Sequence, residues 1–195
     1  MNVKNEEQFL SIRELTAGGM FATRIAVGAF IKITLPTAPV PMHFTLQWFF
    51  VLLAGLMLNK RLAGTCLVVY LLAGLVGMPI FAGGGGPSYL LRPTFGYLLG
   101  FAAASYIMAW ICEWFRTPGF KRLLLISVCG LLVYYSVGMA YYYAVCRFLI
   151  FQEVTWRILL VNGFLLTVWA DFILCVLAAE TAVKLRGAVR YYIEK

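Results

Sequence analysis

Charge is scarce in this chain. Of its 195 residues, 12% are charged and 63% are hydrophobic, and mean hydropathy is +0.87. A soluble domain of this length carries about twice that share of charge, so the composition points to an integral membrane protein. Imidazole is scarcer still. His43 is the one histidine, which excludes a histidine metal cluster and, with no base beside a nucleophile, argues against an intramembrane enzyme. The five cysteines, Cys66, Cys112, Cys129, Cys146 and Cys175, are odd in number and widely spaced in apolar surroundings. No C-x-x-C pair occurs among them, and they read as inert buried thiols. A nucleotide-binding signature is also lacking. The run Gly83-Gly84-Gly85-Gly86 continues into Pro87-Ser88-Tyr89, where a phosphate loop needs Gly-Lys-Ser/Thr. If transport is active, a partner must supply the energy, and no cofactor is implied. Met1 to Ser11 is polar and of mixed charge, and does not read as a cleavable signal.

What the chain has in abundance is long apolar runs. Stretches of roughly 20 residues suit helices that cross the hydrocarbon core. Six such spans are expected, at about 15–33, 44–58, 62–78, 94–115, 123–146 and 159–182. The second is short for a crossing. The fold expected is therefore an all-α integral membrane protein, one bundle of six transmembrane helices forming a single membrane domain over 1–195. A net charge of +8 would suggest nucleic acid in a soluble protein. Here the positive-inside rule accounts for it. With both termini and every second loop in the cytoplasm, that side holds Lys4, Arg13, Lys60, Arg61, Arg116, Lys121, Arg122, Lys184, Arg186, Arg190 and Lys195. The outside holds Lys32, Arg92, Arg147 and Arg157, and Arg24 falls inside a span.

The outward connections, 34–43, 79–93 and 147–157, are longer and chemically richer than the cytoplasmic ones. Loops on a rigid scaffold carry function, so a ligand is expected there. The loop Pro79 to Pro93 combines Gly83, Gly84, Gly85 and Gly86 with the rings of Phe81 and Tyr89 and the cation of Arg92, and leads into Thr94, Phe95 and Tyr97. Irregular backbone at membrane depth is tolerated where it is buried in protein or lines a wet cavity. Arg92 suits a carboxylate ligand, which a guanidinium grips with two parallel hydrogen bonds. Asp171 lies deep in the last span, one turn after Thr167. An intramembrane carboxylate is a functional candidate by default. Thr45 and Gln47 open the second span, and Gln47 is equally a ligand contact or a helix contact. Gly18, Ala22 and Ala26 form a small-residue stripe that allows close helix approach, internally or to another protein. Arg24, on another face of that helix, either snorkels or pairs with Asp171 or Glu180. Glu180 and Lys184, four apart, read as a helix-end ion pair.

These motifs resemble a known family. The segments Ala22-Thr23-Arg24-Ile25-Ala26-Val27-Gly28-Ala29-Phe30-Ile31-Lys32-Ile33, Pro39-Val40-Pro41, Phe44-Thr45-Leu46-Gln47 and Val51-Leu52-Leu53-Ala54-Gly55-Leu56 look like BioY, as do Leu71 to Gly85 and Pro93-Thr94-Phe95-Gly96-Tyr97-Leu98-Leu99-Gly100-Phe101. The resemblance covers most of residues 15 to 182 and is tightest from Pro39 to Phe101. It implies the biotin-binding S component of an energy-coupling factor (ECF) transporter, in the bacterial cytoplasmic membrane. Such a subunit docks on a transmembrane coupling protein driven by two ATP-binding subunits. The resemblance also implies that Ala22 and Ala26 meet the coupling protein and that Asp171 is the family's acidic residue, with Leu174 where many members have lysine. Biotin's ureido N–H groups would then meet Asp171, its apolar rings Phe81 and Tyr97, and its carboxylate Arg92 or loop N–H groups. Two neighbouring readings stay open: an S component for another small carboxylate vitamin or biotin relative, and a stand-alone facilitated carrier.

Overall fold

The computed structural model describes residues 11–36, 42–115, 118–151 and 155–194. Pro39 and Pro41 of the expected motif, and the charges Lys4, Arg116 and Lys195, lie outside the described residues. Helix α1, Ile12–Phe30, starts at a capping box. The Ser11 side chain accepts from the Glu14 backbone N–H, and the Glu14 carboxylate takes the Ser11 N–H in return, which satisfies two orphan donors of the first turn. The chain then makes a two-stranded antiparallel hairpin, β1 Lys32–Leu35 and β2 Met42–Thr45, with Lys32 opposite Thr45 and Thr34 opposite His43. This hairpin departs from the all-α expectation, and it shortens the second helix. Helix α2 runs only from Gln47 to Met57. At ~1.5 Å per residue it covers about half of a ~30 Å hydrocarbon core. It is buried along nearly its whole length.

Helix α3, Lys60–Val76, is capped by the Asn59 side chain accepting from Leu62 N–H at 2.8 Å. A 3-10 turn, Pro87–Leu91, precedes α4, Phe95–Glu113, and α5 spans Phe120–Phe148. The last membrane segment is composite. A short α6, Trp156–Leu160, passes into a π-helical turn, Val161–Leu165, and then into α7, Val168–Glu194. By length and composition, Phe95–Glu113, Phe120–Phe148 and Gly163–Ile193 are each able to cross a membrane.

The α4–α5 interface is the most extensive, with α2 packed between α4, α7 and α1. Small residues set the spacing. A Cβ at Gly138 would strike the Tyr97 ring, and one at Gly100 the Tyr134 backbone, so glycine lets these helices approach closely. One core unites α2, the inner faces of α3, α4 and α5, and the Leu174–Ala182 stretch of α7. Its wall toward the hairpin encloses the cavity described next.

Candidate functional site

The cavity lies between the hairpin, the starts of α2 and α4, the middle of α5 and the start of α7. Its lining includes His43, Phe44, Thr45, Gln47, Trp48, Ala82, Tyr89, Thr94, Tyr97, Leu98, Phe101, Tyr134, Thr167 and Asp171, around about 60 Å³ of void. Besides Thr45 of the hairpin, six residues singled out in the sequence meet here: Gln47, Tyr89, Thr94, Tyr97, Thr167 and Asp171. They come from α2, the loop after α3, α4 and the last segment, and only the tertiary fold brings them together.

Asp171 sits at the base, 2% exposed. Its partner is Tyr135 of α5, whose hydroxyl donates to Oδ2 at 2.5 Å. With the tyrosine proton so used, the Thr167 hydroxyl donates to Tyr135 Oη, 2.7 Å away. Tyr135, itself held by Thr167, thus fixes one carboxylate oxygen, and among the described residues no cation pairs with the group. Tyr97 donates its hydroxyl to the Gly163 carbonyl of the π-helical turn at 3.2 Å. Gln47 is also tied down. Its amide donates to Tyr70 Oη at 2.6 Å, and Tyr70 donates to the Ile80 carbonyl at 3.0 Å, which links α2, α3 and the glycine-rich loop.

The side wall is aromatic. Trp48, Tyr134 and Phe101 form a cluster of near-parallel rings, with the Tyr134 centroid 4.6 Å from Trp48 and 5.1 Å from Phe101, and Trp48 and Phe101 5.8 Å apart. Sequence reasoning missed Trp48, Phe101, Tyr134 and Tyr135. A ring inside an apolar helix carries no mark distinguishing pocket from core. Asp171 was the one available signal, since a buried carboxylate demands a donor.

At the rim two cations hold the loop. Lys32 Nζ donates to the Ala82 carbonyl, and Arg92 Nη1 donates to the Gly83 carbonyl at 3.0 Å while its guanidinium lies 4.8 Å from the Tyr89 ring centroid. His43 Nδ1 is 3.0 Å from Thr34 Oγ1. Burial, then the charges of Lys32 and Arg92, hold the His43 pKa below its ordinary value and favour neutral imidazole.

The remaining loop residues have other surroundings. Phe81 is buried against Gly74, where a Cβ would run into its ring, and packs on Tyr70, Tyr89 and Phe95 behind the cavity wall. Gly83 donates its N–H to Tyr89 Oη, Gly84 to the Phe81 carbonyl and Gly86 to the Gly74 carbonyl. Gly84 and Gly86 have φ of 112° and 104°, a region glycine enters without strain. A Cβ at Gly85 would meet the Met78 carbonyl. Arg92 and these glycines frame the rim and are not among the lining residues.

Gly18, on α1, is filled by an internal contact with Leu62 of α3, whereas Ala22 and Ala26 are half-buried beside it. Arg24 meets neither Asp171 nor Glu180. Its guanidinium lies 5.6 Å from the Phe21 ring centroid, and Glu180 pairs with Lys184 at 2.9 Å, as the four-residue spacing anticipated. All five cysteines are free, and four are fully buried.

The sequence profile of the BioY family matches residues 1–191. The chain belongs to the BioY family. Among curated relatives, the probable biotin transporter BioY of Lysinibacillus sphaericus is 40% identical over 171 residues, covering 88% of this chain and 85% of the relative. The biotin transporter BioY of Thermotoga maritima is 36% identical over 176 residues, covering 90% and 96%. The crystal structure of the S-component for biotin from an ECF-type ABC transporter superposes with a TM-score of 0.80 at 19% identity, covering 93% of this chain and 96% of that one. That likeness gives this BioY chain the fold of a membrane helical bundle.

Proposed function

We propose that this chain is the biotin-capturing subunit of an uptake system. It would take biotin at the face that bears the hairpin and glycine-rich loop. It would then pass the vitamin inward with an ECF coupling protein and two ATP-binding subunits. The observation that carries the reading is the polarity of the cavity: an oriented carboxylate at the base, aromatic walls and cations at the rim. Biotin has the reverse polarity. Its ureido ring offers two N–H donors for Asp171. Its thiophane ring suits the Trp48–Tyr134–Phe101 wall, since sulfur and aromatic faces attract. Its valerate carboxylate ends at Lys32 and Arg92, where a charged hydrogen bond is roughly twice as strong as a neutral one. The family membership and the named relatives support the same ligand.

Ligand pockets usually enclose ~300–1,000 Å³, and this one holds about 60 Å³. Entry therefore requires the hairpin to part from the loop at the Lys32–Ala82 contact and to close over the ligand afterwards. With six spans, the excess of Lys and Arg on the terminal side supports an orientation with both termini in the cytoplasm of a bacterial cell.

The test is equilibrium binding of biotin and of its neutral amide to the purified chain. Asp171→Asn should weaken both by about ten- to hundredfold, the equivalent of one charged hydrogen bond. Lys32→Met should weaken biotin by about tenfold and leave the amide nearly unchanged. No biotin binding by folded wild type would refute the reading. Equal loss of both ligands in Lys32→Met would refute the carboxylate role alone.

A further inference from the structure

Arg24 is the one charge of α1 that the helix cap and the excess of basic residues at the chain's terminal end leave unexplained. It stands just over three turns into the helix with an exposed side chain. Among the described residues it has no carboxylate partner, only the Phe21 ring. A guanidinium at a bundle surface within a span costs several kcal/mol unless something solvates it. Side chains on a helix lean toward its N-terminus, so Arg24 reaches toward the end of the bundle that carries the chain termini. There it joins Ala17, Met20 and Phe21 of α1 and Ala188, Val189 and Tyr192 of α7 around an open groove of about 320 Å³. The groove is apolar along its length, with the guanidinium and the Tyr192 phenol as its polar groups.

We propose that this groove binds an anionic glycerophospholipid of the leaflet on the terminal side, with an acyl chain along Met20, Phe21 and Val189 and the phosphate on Arg24. Three observations favour a lipid over a protein partner. The groove pairs a long apolar trough with one cation, which is the layout of a phospholipid. The same end of the chain carries most of its Lys and Arg residues, and these draw anionic lipid. The groove also faces away from the Ala22–Ala26 stripe. Two residues along a helix turn through about 200°, and Ala22 opens instead onto a separate groove with Leu15, Thr65 and Val69. A phosphate accepts two guanidinium hydrogen bonds at once and leaves the opposite face of the cation to Phe21.

The experiment titrates phosphatidylglycerol and phosphatidylcholine onto the delipidated full chain, with bound lipid read by native mass spectrometry. Wild type should retain phosphatidylglycerol preferentially. Arg24→Gln should weaken that retention by about tenfold, as losing one charged hydrogen bond does. Ala188→Trp, which fills the groove at an exposed position and keeps Arg24, should weaken it comparably. Arg122→Gln removes a guanidinium of the same basic end that lies over Phe115, outside the groove, and should weaken retention far less than Arg24→Gln. Equal retention of the two lipids by wild type overturns the proposal. So does unchanged retention in Arg24→Gln, or equal loss in Arg122→Gln. Biotin affinity measured on the same variants reports that each is folded.

Discussion

Asp171 and His43 mark the two ends of one cavity, and each is set by its neighbours. At the base, Tyr135 commits its hydroxyl to one oxygen of Asp171, and Thr167 holds the Tyr135 oxygen in turn. At the rim, His43 shares its surroundings with Lys32 and Arg92 and is held neutral. Because the folded-state pKa is lowered, the unfolded chain protonates first as pH falls through the ordinary value of about 6.5. The contribution of His43 to stability is therefore full above that pH and is lost as pH falls toward the folded pKa. Anion binding has the opposite sign. A carboxylate at the rim favours the imidazolium, so binding takes up a proton. Biotin affinity should rise between pH about 8 and about 6, where the ligand stays ionised, and His43→Gln should flatten that rise. Isothermal titration at several pH values checks this, and an identical profile in the variant would remove His43 from the rim. Sequence reasoning reached Asp171 because a carboxylate in an apolar span is conspicuous. It did not reach Tyr135, whose partner is 36 residues away, in a tyrosine-rich stretch of α5 that reads as lipid-facing or core alike.

The glycine-rich loop is held by partners on α3 and β1 and by Arg92 from its own far end. Gly86 N–H reaches the Gly74 carbonyl, and Tyr70 reaches the Ile80 carbonyl. Lys32 and Arg92 take the adjacent carbonyls of Ala82 and Gly83. The sequence signalled a flexible, amide-exposing loop. The fold spends the Gly83, Gly84 and Gly86 amides on internal bonds. Its anchor is Phe81, seated in a notch that exists because residue 74 has no side chain. Gly74→Ala should overpack that notch and cost about 1–3 kcal/mol. The thermal midpoint in detergent should fall, and the added change Phe81→Leu should recover part of the loss. A single variant that melts like wild type would mean the ring is not seated there. The hairpin was illegible for a different reason. Its strands are four residues each, too short for alternation to stand out beside prolines and a long apolar helix.

For the whole molecule, hydrophobic run lengths forecast most of the helical segments, because the bilayer sets a minimum length that few other constraints share. They did not forecast how α2, at 11 residues, is completed by the hairpin. The two ends of the bundle are chemically distinct, a cavity at one and basic residues at the other, so the proposed capture and handover can be tested separately. Ala22→Trp combined with Ala26→Trp should leave biotin binding by the isolated chain unchanged. The same pair should abolish ATP-driven uptake when the chain is expressed with its coupling and ATP-binding subunits. Uptake at wild-type rates would place the docking face elsewhere.

The π-helical turn Val161–Leu165 makes the last segment sensitive to insertions and deletions. Leu159, Gly163, Thr167 and Asp171 are all buried and recur at every fourth position. In an unbroken α-helix that spacing drifts by about 40° at each step, and the stripe would wind off the cavity. A π-helical turn holds one residue more than an α-helical turn needs, and this surplus returns the stripe to the same side. Removing Phe164 or Leu165 would be a small edit by length and a large one by angle. The segment before the deletion would swing through about 100°, taking the Gly163 carbonyl from Tyr97 while Asp171 stays in place. Such a deletion should leave helical content by circular dichroism unchanged and weaken biotin binding. Wild-type affinity in the shortened chain would show that the extra residue is spacing alone.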